Sequence, residues 1–348
     1  MSLIIYSDPH IGVNLMANTT PASRVRLREA QWKALDKVKA HSNGAGIVCG
    51  GDFFHSHRID EDEFLAGLKW AKEHMLILSG NHDIVNDRYK TGSMDLLRYV
   101  CSDSVTEFAN TEFDKAKTHN KVVGAKMMLY TVPHCTTQKL FEESLEKSLQ
   151  RRKAAGLGSN ILLLHCNYDN ALATKETELN LTRNKAKELL EHFNYVVLGH
   201  EHNFKTDFDD RLIVLGNTYP TNFGDISDKY CLSFDPSGEP ELCPLWDSAK
   251  GYIATDWDNL SAIKPQHEWV RITGTCPPEK LHELAKAVKK MWSELSNVVA
   301  IRIDVKLEVS ASDNDYSNPE VNLMSLIKKD LAEQPEMLKL WEELTCDK

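Results

Sequence analysis

The chain has 348 residues, 42% of them hydrophobic and 26% charged, with 17 Gly and 12 Pro. That is the composition of a folded protein with a sizeable core, and it excludes collagen-like and wholly disordered chains. The 51 acidic and 41 basic side chains leave a formal charge of −10, which excludes a surface that is cationic throughout; any nucleic-acid contact has to be local or assisted by bound cations. At roughly 100–200 residues per domain, one large domain with one or two smaller attachments is expected. No apolar run approaches the roughly 18 residues that span a bilayer, and residues 1–12 lack the basic start and long apolar stretch of a signal peptide. A soluble protein of the cytoplasm, with no membrane partner, is the expectation. The cysteines (Cys49, Cys101, Cys135, Cys166, Cys231, Cys243, Cys276, Cys346) are scattered without a Cys-x-x-Cys pair, so free, buried thiols are expected.

In chain order, a short apolar run at 3–7 ends in Asp8-Pro9-His10 and precedes an amphipathic stretch from about 23 to 41. There Leu27, Ala30, Ala34, Leu35 and Val38 recur at spacings of three and four, which predicts a helix. The unit then repeats. Residues 46–49 end in Gly50-Gly51-Asp52 ahead of a helical stretch at about 60–73; residues 75–79 end in Gly80-Asn81-His82-Asp83; residues 160–164 end in His165-Cys166-Asn167; residues 195–198 end in Gly199-His200-Glu201-His202. Unbroken apolar runs of four or five residues suit strands buried on both faces, and their alternation with helices predicts α/β layering. From about 204 to 252 short alternating strands between turns predict a second sheet. Beyond Trp257, an extended run at 267–273, a helix at about 278–295 and another extended run at 298–309 form a separate βαβ unit. A polar linker follows at 310–318, then two short helices at 321–332 and 335–344, broken at Pro335.

Five strand ends therefore carry Asp-x-His, Gly-Asp, Asn-His-Asp, His and His-x-His. Side chains at the carboxyl ends of strands in a layered α/β fold converge on one edge, although these span nearly two hundred positions. Carboxylate, imidazole and amide oxygen together suit a pair of borderline divalent cations, and the absence of thiolates disfavours a structural zinc site. Each motif alone has a bland explanation as a turn or a hydrogen-bonded histidine. Five in order do not.

These residues resemble the calcineurin-like metallophosphoesterases, whose signature runs Asp-x-His, Gly-Asp, Gly-Asn-His-Asp, His, Gly-His-x-His. Within that superfamily the chain looks most like the SbcD nucleases, relatives of the eukaryotic meiotic-recombination-eleven repair nuclease and in particular the compact phage type. His55 in Gly-Asp-Phe-Phe-His, the stretch Gly216-Asn217-Thr218-Tyr219 with Phe223-Gly224, and a βαβ cap followed by a helical tail carry that likeness. The motifs cover residues 1 to about 225; the remainder is similar in layout only.

The resemblance implies an α/β fold: a four-layer αββα sandwich over residues 1–256, a small α+β cap that presents DNA at 257–310, and a linker with a helical tail at 311–348 for an ATPase partner. It implies that Asp8, His10, Asp52 and His202 hold one metal ion while Asp52, Asn81, His165 and His200 hold the other, the ions being Mn2+ with Mg2+, Fe2+ or Zn2+ as alternatives. His82 is then the acid or hydrogen-bond donor facing the leaving oxygen, Asp83 orients its ring, and His55 either contacts substrate or has a structural role. The implied activity is DNA exonuclease and endonuclease action with an SbcC-type coiled-coil ATPase, in a homodimer, in the bacterial or phage-infected host cytoplasm. Two other readings stay open: a small-molecule phosphodiesterase or protein phosphatase on the same fold, and a catalytically silent scaffold subunit. The usual mark of the latter, a lost ligand or lost catalytic His, is absent. Whether Arg24, Arg26 and Arg28, Arg151-Arg152-Lys153, or Lys286, Lys289 and Lys290 face phosphates or solvent is left open.

Overall fold

A strand covered on both faces needs apolar side chains at consecutive positions, and the short runs of this chain meet that need. The computed structural model describes residues 2–13, 21–84, 91–101, 103–105, 119–123, 127–154, 158–170 and 178–308. In chain order these form β1 (Leu3–Tyr6), α1 (Pro21–Ser42), β2 (Gly46–Cys49), α2 (Glu61–Ala71), β3 (His74–Ile77), α3 (Ser93–Val100), β4 (His119–Val122), β5 (Met127–Val132), α4 (Gln138–Ala154) and β6 (Ser159–His165). There follow β7 (Asn167–Tyr168), β8 (Asn180–Leu181), α5 (Arg183–Leu190), β9 (Tyr195–Gly199), β10 (Lys205–Asp207), β11 (Leu212–Val214), β12 (Lys229–Phe234) and β13 (Pro240–Trp246). Last come α6 (Ser248–Gly251), β14 (Tyr252–Asp256), β15 (Trp269–Thr273), β16 (Thr275–Cys276), α7 (Leu281–Glu294), β17 (Ala300–Ile303) and β18 (Lys306–Leu307). The chain divides into two units, Met1–Val13 with Arg28–Asp247, and Asn14–Leu27 with Ser248–Lys348.

The larger unit holds two large sheets, ordered β13-β12-β1-β2-β3 and β10-β11-β9-β6-β5-β4, and the two-stranded β7-β8. Strand alternation sorts their side chains into three interlayer cores. Leu3 and Ile5 of β1, Val48 of β2, Ile161 and Leu163 of β6, Val197 of β9 and Leu232 of β12 meet between the sheets. The intervening Ile4, Tyr6, Ile47 and Cys49 turn the other way, onto Leu35 and Val38 of α1, Trp70 of α2 and Leu97 of α3. On the far side Leu162, Leu164, Val196 and Leu198 pack on Phe141 and Leu145 of α4 and Leu189 of α5. The result is helix, sheet, sheet, helix, the expected αββα order. Truncating Leu163, which is fully buried between the sheets, is expected to cost about 2–5 kcal/mol in the stability read from urea denaturation.

The smaller unit is built on β14-β15-β17, all parallel. Because Tyr252–Asp256 pairs in register with Trp269–Thr273, the strand just ahead of Trp257 belongs to this sheet. The predicted βαβ unit is β15, α7 and β17; Leu284, Val288 and Met291 of α7 pack on Val270, Ile272 and Val298. Arg26 stacks 4.2 Å over Trp292 and donates to the carbonyls of Trp292, Leu295 and Val298 at 3.2, 3.1 and 2.8 Å, capping the end of α7. Its guanidinium is thus committed within the fold.

The other basic groups divide in the same way. Arg28 pairs with Asp60 and Glu63, both at 3.2 Å, and Arg151, Arg152 and Lys153 occupy the last turn of α4, where cations complement the helix dipole. Arg24, Lys286, Lys289 and Lys290 are exposed. Of the cysteines, Cys49, Cys135, Cys166, Cys231, Cys243 and Cys276 are free and buried and Cys101 is half-buried. Cys346 and the expected tail at 311–348 lie outside the described residues. No helix among the described residues is long and apolar enough to cross a membrane.

Candidate metal and phosphoester site

Strands β1, β2 and β3 run parallel in one sheet, and β5, β6, β9 and β11 run parallel in the other. Their carboxyl ends therefore deliver the segments after Tyr6, Cys49, Ile77, Val132 and Leu164, and the His-x-His segment after Gly199, to one edge of the sandwich. The backbone bends sharply there. Asp8, His10, Asp52 and His200 all have positive φ, at 51°, 46°, 47° and 92°, a region Asp and His enter more readily than most residues but still sparsely. Gly51 has φ of 120° and lies so close to His165 that a Cβ would collide with the ring; one on Gly80 would collide with Asp52.

Three donor groups result: one is all imidazole, His10, His55 and His82, and two carry carboxylates. Asp8, His10 and His202 bring ligand atoms within 4.8 Å of one another, as do Asp52, His165 and His200. The oxygens of Asp52 divide between them: Oδ1 is 3.4 Å from Nε2 of His165 and Oδ2 is 3.9 Å from Nε2 of His10. The side-chain oxygen of Asn81 completes the second group, 3.1 Å from Nε2 of His165 and 2.8 Å from Nδ1 of His200. Asp8, His10, Asp52 and His165 are all at most 1% exposed.

Burial sets the charge states. It pushes the His10 imidazole well below its ordinary range and that of His200 down to about 4, holding both rings in the neutral form that ligates. Burial raises Asp8, against the pull of His165 and His202. For Asp52 burial also acts upward, but His165, His10 and His82 outweigh it and hold the carboxyl well below the usual range. His165 is the counterpart: burial acts downward, and Asp52 and Asp8 overcome it, raising the ring to about 9. Carboxylates and deprotonated imidazoles are the ligand types that accept borderline divalent cations. The residues fit a pair of ions, with Asp52 placed to face both.

His82 lies beside the first group, its ring 4.9 Å from that of His10. Its backbone N–H donates to Oδ1 of Asp52 at 2.9 Å, and its Nδ1 to the carbonyl of His55 at 2.6 Å, which leaves Nε2 as the ring nitrogen for other work. The expected orienting role of Asp83 is corrected here: its carboxylate instead accepts the backbone N–H groups of Phe53, Phe54 and Gly80 at 3.2, 3.0 and 2.9 Å, tying the Asp52 loop to the Asn81 loop. Burial and the nearby Asp52 push Asp83 up to about 7, opposed by those donors. His55 is half-buried and lowered to about 4 by burial and His82.

Three further groups were not picked out from sequence. His134, at the end of β5, is buried 6.2 Å from His165 ring to ring and lowered to about 3, chiefly by burial. A largely apolar run, 127–132, precedes it much as one precedes His165, which is the signal that could have found it. Asp225 faces His202, with Oδ2 3.3 Å from its Nδ1, and the fully buried Lys229 donates to the His202 carbonyl at 2.9 Å. For Asp225, burial acts upward but His202, Lys229 and backbone donors bring the carboxyl to about 2. A carboxyl depressed below its ordinary 3.8 contributes stability above that value, about 2 kcal/mol by linkage, that is lost as pH falls from about 4 to 2. Accordingly the stability gap between wild type and Asp225→Asn, measured by denaturant unfolding, is expected to be widest at neutral pH and to narrow across that window.

The sequence model of the calcineurin-like phosphoesterase family matches residues 1–204, a segment that contains every donor described above. A candidate 5′-nucleotidase from Staphylococcus aureus, crystallised with alpha-ketoglutarate, is similar at 12% identity and a TM-score of 0.45, over 71% of this chain and 54% of its own. An uncharacterised Streptococcus pneumoniae protein, predicted to be a phosphoesterase, is similar at 11% identity and a TM-score of 0.29, over 70% of this chain and 89% of its own. The chain thus spans about half the length of the first of these. No match was found among curated proteins.

Proposed function

We propose a DNA nuclease, and the premise is that this chain belongs to the calcineurin-like phosphoesterase family. The family hydrolyses phosphoesters with divalent metals, which makes the chain a hydrolase acting on ester bonds. In our reading Asp8, His10, Asp52 and His202 hold one ion and Asp52, Asn81, His165 and His200 the other. When bound, such a pair lowers the pKa of a shared water and clamps the oxygens around phosphorus during in-line displacement. His82 does the proton work. With Nδ1–H anchored on the His55 carbonyl, the ring as an imidazolium would give its Nε2 proton to the leaving oxygen and return to the neutral form.

The observation that carries the nuclease reading is His55. Its ring stands 5.4 Å from His10 and 5.4 Å from His82, which supports a reading in which the histidine of the SbcD-like motif contacts a phosphate beside the proton donor. The proposal extends to Mn2+ as the native metal, to the smaller unit as the part that presents DNA, and to the tail at 311–348 as the segment that binds an SbcC-type ATPase. It also includes a homodimer.

The purified chain in Mn2+ is expected to degrade DNA far faster than bis(p-nitrophenyl) phosphate, with rates at limiting substrate falling steeply as salt is raised because the contacts are to phosphates. Equal rates on both substrates, insensitive to salt, would assign it to small phosphodiesters instead.

A further inference from the structure

We propose that Asp225 is a positioning residue that fixes the tautomer and direction of His202, and so sets the affinity of the ion held by Asp8, His10 and His202. This inference rests on the two-ion reading of the site. It starts from an asymmetry among the histidines of the edge. His165 has its Nδ1 on the Gly50 carbonyl at 2.9 Å, whereas the Nδ1 of His10 is buried without a partner. His202 alone sets a ring nitrogen against a carboxylate that stands outside both donor groups, 3.3 Å from Oδ2 of Asp225. A carboxylate can only accept there, so Nδ1 carries the proton and Nε2, which lies 3.0 Å from Nε2 of His10, is left with its lone pair toward the donor group.

Asp225 is itself held rigidly. It is 3% exposed, and it accepts from the side-chain amide of Asn217 at 2.7 Å, the hydroxyl of Thr221 at 3.0 Å, and the backbone N–H groups of Thr221 at 3.1 Å and Asn222 at 3.0 Å. Asn217 also donates its backbone N–H to the His202 carbonyl at 3.3 Å, and Lys229 donates to the same oxygen at 2.9 Å. The loop after β11 therefore grips both ends of His202, and the Gly216-Asn217-Thr218-Tyr219 stretch, which the two-ion chemistry leaves without a task, acquires one. Carboxylates behind ligating imidazoles raise their basicity and fix their orientation, and removing one typically weakens metal affinity 10–100-fold.

The test is a Mn2+ titration of the full chain followed by calorimetry and electron paramagnetic resonance, which separates spin-coupled ion pairs from single ions. Wild type is expected to fill two sites and give the coupled signal. Asp225→Asn is expected to fill one site as before and the other 10–100-fold more weakly, giving a single-ion signal at intermediate Mn2+ and the coupled signal at excess. Asp225→Asn introduced into His202→Ala should add no further weakening. Two sites unchanged in Asp225→Asn, or further loss in the double variant, would overturn the proposal while leaving the two-ion reading intact; a wild-type chain that never binds a pair overturns both. Should Asp225→Asn fail to fold, nitrogen-15 spectra of the Zn2+-loaded wild type decide: a protonated Nδ1 on His202 supports the assignment, and a protonated Nε2 defeats it.

Discussion

Asp52→Asn is expected to abolish hydrolysis at all ordinary Mn2+ concentrations and to reduce the content of both ions together. The carboxylate is 1% exposed and its two oxygens look in different directions, Oδ2 to His10 at 3.9 Å and Oδ1 to His165 at 3.4 Å. An amide of the same shape keeps one oxygen, replaces the other with a donor, and removes the negative charge that both donor groups share. Each ion then faces imidazoles with fewer anions, and the ligand set loses the member the ions have in common. Elemental analysis of the purified variant and DNA hydrolysis across a Mn2+ series measure the effect. Full recovery of rate in excess Mn2+ would show that Asp52 does not bridge.

His82→Ala is expected to leave metal content intact and to reduce the rate nearly as much. The side chain is held by one strong bond, from Nδ1 to the His55 carbonyl at 2.6 Å. Its link to Asp52 runs through the backbone N–H at 2.9 Å, which alanine keeps. The two carboxylate-bearing donor groups therefore stay in place while, in the proposed reading, the proton donor disappears, and hydrolysis should fall by roughly 10²–10⁴, the usual effect of losing an acid–base group. If the variant loses its metal, the role assigned to His82 is wrong.

The parts of this architecture that were legible in sequence are those governed by local rules. Runs such as 160–164 are apolar at every position because Ile161 and Leu163 face one core and Leu162 and Leu164 another, and the motif at each run's end marks the same edge. Interactions that depend on how loops return to that edge were not legible. Asp83 follows His82 directly, and adjacency suggested that one orients the other; neighbouring side chains point apart, and Asp83 reaches Phe53 and Phe54 across the sheet. Asp225 has no motif of its own, since its meaning depends on His202 lying against the loop. His134 follows its strand as a single histidine after Pro133, outside any of the five motifs. The arginines stayed open for the same reason: the cationic character of Arg26 is visible in sequence, but its three carbonyl partners on α7 and beyond are not.

Asp8, Asp52 and Asn81 follow strands of one sheet, while His165 ends a strand of the other and His200 and His202 follow one. The spacing between the two halves of the chemistry is therefore set by the thickness of the hydrocarbon layer between the sheets, chiefly Ile5, Val48, Leu163, Val197 and Leu232. That layer works as a gauge block. A methyl group gained or lost deep within it need not touch a single donor to alter catalysis, because it changes the distance at which the two sheets present their ligands. Displacements of an ångström at reacting groups cost on the order of 10²-fold in rate. Substitutions there should tune turnover and stability together, so ordinary core drift becomes a route by which a phosphoesterase of this architecture can be adjusted to temperature without any change in its active-site residues.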